Sequence, residues 1–315
     1  MQQLETPIGI LGYGNQGRAQ AGNLRDAGLE VYAGGRPGGP SAEAAARDGF
    51  AFLPTPELAD RCALVALLTP DETHGTILAQ LAGGASVRTL VLAHGFSLRF
   101  EDPDLHPSWD VVLVAPSGPG TALRTPAGAG RIGALIGVHR DRSGRALEKA
   151  RAYATAAGCA PEGLIETTVA AEAEIDLFGE QAVLCGGLSA LVLAAWETLV
   201  ERGYDPEIAY LECVHQAALT ASMIRDHGIA GMRERISSLA LFGDLTRGPR
   251  VIGPSARAAL GEILEEIRDG RFAGEWAEEV ASGKKESRKG LEASRRHAVE
   301  RARASLQRRP QPPVE

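Results

Sequence analysis

P-I-G-I-L-G-Y-G-N-Q-G, residues 7–17, decides the fold of the N-terminal half. Its first six residues are an apolar run ending in glycine, the pattern of a short buried strand. From 15 to 28 the spacing turns helical, with Ala19, Ala21, Leu24 and Ala27 giving a small-residue face. A second apolar run, 29–33, follows almost at once, completing a β-α-β unit of about thirty residues. In the turn between strand and helix, Gly12 permits the tight bend and Gly14 lets a pyrophosphate approach the backbone. Gly17 lets helix and strand pack closely. The helix N-terminus offers backbone N–H groups and a partial positive charge to the phosphates. Gly12, Tyr13, Gly14, Asn15, Gln16 and Gly17 are therefore expected to bind a dinucleotide; an incidental glycine turn is the alternative.

Working outward, further buried-strand patterns lie at 63–68, 89–93, 111–115 and 132–138, with helical patterns between most of them. This alternation predicts an α/β domain, a doubly wound parallel sheet of Rossmann type covered on both faces. After about residue 168 only helical periodicity remains, at 170–201, 206–226, 232–242, 255–268 and 272–281, so an all-α domain should follow. The expected boundaries are 1–167, 168–283 and 284–315. The last stretch is rich in Arg and Lys, ends R-R-P-Q-P-P-V-E, and reads as a solvated helix with a frayed tail.

The second strand sets the cofactor type. NAD sites want an Asp or Glu at its end to hold the ribose hydroxyls. V-Y-A-G-G-R, 31–36, has none. Arg36 and Ser41 are placed to contact a 2′-phosphate, the guanidinium through paired charged hydrogen bonds, so NADPH is expected. The alternative is a solvent-facing Arg36.

Bulk properties narrow the class. The 315 residues are 44% hydrophobic, enough for two ordinary cores. A net charge of −7 offers no broad basic surface, so nucleic acid is not an expected partner. Cys62, Cys159, Cys185 and Cys213 lie far apart in apolar stretches, which reads as packing in a reduced, cytosolic protein. The chain's start runs straight into a strand with no signal-peptide pattern. The longest apolar run, 182–196, is short for a membrane span and contains Gly186-Gly187, so no membrane association is expected.

E-I-D-L-F-G-E-Q, 174–181, carries the second chemical signal. Asp176 and Glu180 are four residues apart, so on a helix their carboxylates share one face, about 5–6 Å apart at Cβ. Apolar residues flank them, and two like charges there call for a cation; hard oxygen ligands suit Mg²⁺. L-E-C-V-H-Q, 211–216, repeats the spacing with Glu212 and Gln216, but its second member is an amide.

Together the motifs resemble ketol-acid reductoisomerase. G-Y-G-N-Q-G, L-T-P-D-E, L-A-H-G-F, V-A-P-S-G-P-G, E-I-D-L-F-G-E-Q-A-V-L-C-G-G-L, G-I-A-G-M-R and G-D-L-T-R-G-P-R-V-I occur in that family's order over about residues 7–285. The resemblance is to the short form with one helical domain, which in the family is knotted. It implies a two-step reaction: a Mg²⁺ pair drives an alkyl shift in an acetohydroxy acid, and NADPH then reduces the resulting 2-keto acid. It further implies Asp176 and Glu180 as Mg²⁺ ligands, Glu212 and Gln216 as the second pair, and Ser237 as a substrate-carboxylate contact. His94 would lie near the nicotinamide, with Thr69, Pro70 and Gly120 on the cofactor. A homodimer is implied too, each active site borrowing residues from the partner. The alternatives for His94 and Ser237 are a structural histidine and a helix cap.

Three departures from the family pattern fall in the implied site. Its A-P-K-G-P-G-H is here 115–121 with Ser117 and Thr121 in place of lysine and histidine; Gln216 replaces an acid; and T-A-E after Ser237-Ser238 becomes Leu239-Ala240-Leu241. The alkyl shift needs a strongly polarised carbonyl and a deprotonated hydroxyl, so it depends most on the metals. Hydride transfer to an iminium needs none. The expectation is an NADPH-dependent reductase on this scaffold, acting on a cyclic imine, an enamine or a bulky 2-keto acid of specialised metabolism, with isomerase activity lost and Mg²⁺ doubtful. The alternatives are a working ketol-acid reductoisomerase and a non-catalytic NADP-binding protein.

Overall fold

A computed structural model describes residues 4–124 and 132–308, and the chain divides after Ile175 into two compact units. The first is built on eight strands: β1 Ile8–Leu11, β2 Val31–Gly35, β3 Phe52–Pro54, β4 Leu64–Leu67, β5 Thr89–Leu92, β6 Asp110–Pro116, β7 Ile132–Arg140 and β8 Cys159–Glu166. Their order across the sheet is β3-β2-β1-β4-β5-β6-β7-β8. β1 to β6 are mutually parallel, β7 runs antiparallel to β6, and β8 is parallel to β7. The first six follow the dinucleotide-binding order, with the direction of winding reversing between β1 and β4.

Six helices flank the sheet: α1 Asn15–Asp26, α2 Pro40–Arg47, α3 Thr55–Arg61, α4 His74–Ala82, α5 Gly120–Leu123 and α6 Ala146–Ala156. Every residue of β1, β4 and β5 is buried because successive side chains enter opposite cores. Ile8 and Ile10 join Leu24, Val112 and Tyr153 on one side; Leu11 joins Leu58, Leu67 and Trp109 on the other. β3 and β8 are strands that the apolar-run reading does not find. Both lie at sheet edges, where Pro54, Pro161 and Gly163 are tolerated and the strand pattern is weak.

Beneath β5 and β6 lies a charged knot. Lys149 Nζ is 2.6 Å from Asp110 Oδ2 and 2.8 Å from Glu5 Oε1. Asp110 also accepts from the backbone N of Arg142 at 2.6 Å and of Ser143 at 2.9 Å, and from Ser143 Oγ at 2.7 Å.

Helices account for the rest of the described chain: α7 Val169–Phe178, α8 Gly186–Val200, α9 Pro206–Tyr210, α10 Gln216–Arg233, α11 Ser238–Val251, α12 Pro254–Arg268, α13 Arg271–Ala281, α14 Lys285–Arg296 and α15 Ala298–Gln307. The expected helix at 232–242 is corrected. Gly228 at φ +71 breaks the helical path within α10, and the next helix starts only at Ser238, capped by Ser237.

The division after Ile175 lies several residues beyond the expected break at 167/168. The first turns of α7 are tied to the sheet unit: Glu172 Oε2 accepts from Gly95 N at 2.7 Å, and Arg99 Nε donates to Glu174 Oε1 at 3.0 Å.

The solvated C-terminal helix is a second correction. It is two helices, and α15 sets Ala298, Val299 and Ala302 against Trp196, Leu199, Ala209 and Tyr210. Ser305 Oγ donates to Glu207 Oε1 at 2.6 Å, and His297 Nε2 lies 3.1 Å from Glu197 Oε1. The expected fraying from 309 onward falls outside the described residues. A third difference concerns α7 and α8. With the turn between them they form one run, Val169–Val200, long and apolar enough by length and composition to cross a membrane, and almost none of it is buried.

Candidate active site

The cofactor loop forms because three chain segments approach too closely for side chains. Gly12 sits at φ +94, and a Cβ there would meet Leu68 O at 2.5 Å. A Cβ on Gly17 would stand 1.9 Å from Gly12 O, whereas on Gly14 it would meet nothing. Gly14 is the N-cap of α1, with no side chain bonded to the cap and no acid in the first turn, so the helix presents its N–H groups to an anion.

Beside this loop opens a cleft of about 730 Å³, whose wall includes Gly12, Arg36, Ser41, Thr69 and Pro70. Five of the expected cofactor contacts are thus brought together. Arg36 is exposed and, among the described residues, forms no ion pair; Ser41 is half-buried in the first turn of α2.

Three of the other expected contacts also brace the loop. Gln16 Nε2 donates to Gly118 O at 2.8 Å, and Gly120 packs so tightly on α1 that a Cβ would meet Asn15 O at 2.3 Å. Tyr13 is buried against Phe50, and its hydroxyl donates to Asp48 Oδ2 at 3.0 Å. Burial and then Asp48 push the Tyr13 pKa up, while the Arg18 guanidinium holds Asp48 below the usual carboxylate range.

His94 lies just past β5, at the carboxyl end of the sheet where ligands of such folds bind. Its Nδ1 is 3.6 Å from Asp71 Oδ2, and its ring stacks on Phe96 with centroids 6.2 Å apart. The Glu172 bond to Gly95 N fixes the backbone beside it.

Sequence reasoning misses His74, which is 3% exposed. Its Nε2 is 3.1 Å from Thr69 O and its Nδ1 is 2.8 Å from Ser97 Oγ. A carbonyl only accepts, so Nε2 carries the hydrogen; in the neutral ring Nδ1 then accepts from the Ser97 hydroxyl. Burial pulls the His74 pKa down, opposed by Asp71, and favours this neutral form. Around the same turn, burial, then Asp71 and Glu72, raise the pKa of Glu101.

Three five-residue-bonded (π) turns occur near candidate residues: Ser97–Glu101 after His94, Gly179–Leu184 around Glu180, and Leu211–His215 around Glu212. Such turns recur at functional sites in proteins. Asp176, Glu180, Glu212 and Gln216 all occupy exposed positions of the single chain. Of the apolar residues flanking the first pair, Ile175 at 63% and Leu184 at 64% are exposed, whereas Leu177 is buried.

Gln216 Nε2 donates to Glu212 Oε2 at 2.8 Å. Among the described residues, no group of three or more His, Cys, Asp or Glu side chains is gathered for a metal. The chain supplies two separate pairs instead. The dicarboxylate pair has the donor type for one hard divalent cation; the carboxylate–amide pair lacks the second charge.

Ser237 Oγ accepts from Ala240 N at 3.2 Å, so its lone pair caps α11 while its proton remains available to a ligand. Leu239, 81% exposed, and Phe242, 61% exposed, follow on that helix. Ser117 is exposed at the end of β6, its N bonded to Gly133 O at 2.9 Å, and Thr121 is exposed on α5.

Residues 4–163 match the acetohydroxy acid isomeroreductase NADPH-binding domain, and residues 169–311 match the ketol-acid reductoisomerase C-terminal domain. The fold is similar to that of an NADH-preferring ketol-acid reductoisomerase from an uncultured archean. That match has a TM-score of 0.90 and 37% identity, covering 95% of this chain and 93% of the other. A semialdehyde dehydrogenase NAD-binding protein from Cupriavidus necator matches with a TM-score of 0.61 and 18% identity, over 83% of this chain and 98% of that one. A 1-pyrroline-5-carboxylate reductase from Streptococcus pyogenes matches with a TM-score of 0.53 and 18% identity, over the same shares. The last two likenesses concern the fold alone.

Proposed function

The chain belongs to the ketol-acid reductoisomerase family, and from that membership we propose that it retains the family's hydride transfer and has lost its alkyl shift. It is an NAD(P)-dependent oxidoreductase. The observation that carries the proposal is the Gln216–Glu212 hydrogen bond. An amide donating to the neighbouring carboxylate removes one negative charge from the metal-binding complement and spends an oxygen of Glu212. Ser117, where a lysine is expected, supplies no cation for a developing oxyanion. Where Mg²⁺ binds, Asp176 and Glu180 would hold it, and it would polarise a substrate oxygen. Ser237 would donate to the substrate carboxylate, and Leu239 and Phe242 fit a bulky apolar flank. The substrates are a 2-keto acid or a cyclic imine.

The full reductoisomerase reaction is the second reading, favoured by 37% identity over nearly the whole length of a family enzyme. NADPH oxidation, followed with 2-acetolactate plus Mg²⁺ and with 2-keto acids or cyclic imines alone, separates the two. The expected result is turnover of a reduction-only substrate at least about a hundredfold faster than of acetolactate. Acetolactate turnover of about 1 s⁻¹ or more overturns the proposal.

NADPH is the proposed cofactor because Arg36 and Ser41 line the cleft. Arg36→Ala should raise KM for NADPH about tenfold and leave that for NADH within about twofold. An equal rise for both removes the 2′-phosphate role.

A second copy of the chain is the proposed cover for the exposed apolar residues of Val169–Val200 and for Leu239. Glu172, Glu174, Asp176 and Glu180 lie within that run, and such acids are costly in a bilayer.

A further inference from the structure

Two loops at the carboxyl end of the sheet do different jobs. The one after β4 contributes Thr69 and Pro70 to the cofactor cleft, and the one after β5 carries His94. Nothing in the strand pairing sets the distance between these loops beyond the strand ends. His74 does so: it is buried between them, with Nε2 on Thr69 O and Nδ1 on Ser97 Oγ, three residues past His94. Each contact uses a different nitrogen: Nε2 must donate to the Thr69 carbonyl, and in the neutral ring Nδ1 accepts from the Ser97 hydroxyl. Thr69 is further pinned by the hydroxyl of Thr73, which donates to Pro70 O at 2.7 Å and lies 2.9 Å from Thr69 Oγ1, whose own hydroxyl can donate to it.

We propose that His74 is a positioning residue for hydride transfer, its neutral Nε2–H tautomer tying the Thr69 wall of the cofactor cleft to the segment that carries His94. The inference rests on the reductase reading above. Hydride passes from the reduced nicotinamide to the substrate carbon, and the C=O or C=N π pair moves to the heteroatom, which takes a proton. A looser span between the cleft wall and the His94 segment lets donor and acceptor carbons drift apart, and rates fall steeply with such misplacement. Overall cofactor affinity is governed elsewhere, by the glycine loop and Arg36.

The test compares His74→Gln with His74→Leu. Glutamine reproduces both contacts, Nε2–H donating to Thr69 O and Oε1 accepting from Ser97; leucine fills space and makes neither. Three quantities are read on each full-length protein: the Kd for NADPH, the emission enhancement of the bound nicotinamide, and kcat on whichever substrate wild type reduces. The expected result is NADPH Kd within about threefold of wild type in both variants, with emission enhancement and kcat near wild type in His74→Gln. In His74→Leu the enhancement should be reduced and kcat should fall about tenfold or more. Equal behaviour of the two variants overturns the inference, as does a loss confined to Kd. Should wild type reduce none of the substrates, the reductase reading fails, and the emission readout still decides whether His74 positions the nicotinamide.

Discussion

Gly17→Ala is expected to raise the Kd for NADPH about a hundredfold or more and to destabilise the sheet unit by about 3 kcal/mol. The added methyl would stand 1.9 Å from Gly12 O and 3.3 Å from Ile10 Cγ2. A backbone oxygen cannot rotate away as a side chain can. Relief requires lifting α1 off β1, which opens the turn and turns the first N–H groups of the helix away from the phosphates. Isothermal titration with NADPH reads the first effect. Denaturant unfolding followed at Trp109, buried in the first unit, reads the second. Binding within threefold of wild type would show that the loop does not need this close approach.

The second large effect is expected at Asp110, whose side chain is 2% exposed. Burial acts to raise its pKa, but hydrogen bonds from Lys149 and Ser143 outweigh it and hold the group at about 2. The folded value lies below the unfolded one, so the stabilisation is fully present above about pH 4 and is lost as pH falls from about 4 to 2. That window carries about 2 kcal/mol. Asp110→Ala also leaves two backbone N–H groups without their acceptor and Lys149 with one fewer partner, so the deficit at pH 7 should reach about 3–5 kcal/mol. Urea unfolding at pH 7 and near pH 2.5 should show this deficit shrinking in acid. A deficit under 1 kcal/mol at pH 7, or one equal at both pH values, contradicts the account.

What the sequence makes legible follows from where each residue meets its partners. β1, β2 and β4 to β7 are readable as apolar runs because the sheet is covered on both faces. β3 and β8 are hidden because edge strands tolerate proline and glycine. The cofactor loop is legible since its glycines are local to it, and Arg36 and Ser41 follow from position along the second strand. His74 is not legible: its partners lie 5 and 23 residues away, and nothing local distinguishes it from a surface histidine. The docking of α15 left a trace in Ala298, Val299 and Ala302, a small apolar stripe inside a charged stretch. The helix-cap alternative for Ser237 is legible from its residue type, but the expected 232–242 helix hides the break before it, which depends on Gly228 and on residues 234–237 leaving the helical path. Asp71, which lies beside both His74 and His94, and Glu101 belong to a 3₁₀ turn and a π segment that no periodicity marks.

The π turns at Gly179–Leu184 and Leu211–His215 constrain how the chemistry of this scaffold can vary. A π turn holds one residue more than the α turn it interrupts, so deleting a single residue would restore regular winding. A deletion within Leu211–His215 would also bring Glu212 and Gln216 from a four-residue to a three-residue spacing, still on one helix face but in a different mutual geometry. Single-nucleotide changes that exchange an acid for an amide leave the winding intact, as the Gln216–Glu212 bond illustrates. Codon-length deletions do not. Along these two helices, substitution alters the charge of the paired positions, whereas a change in residue count alters the wide turns that carry them.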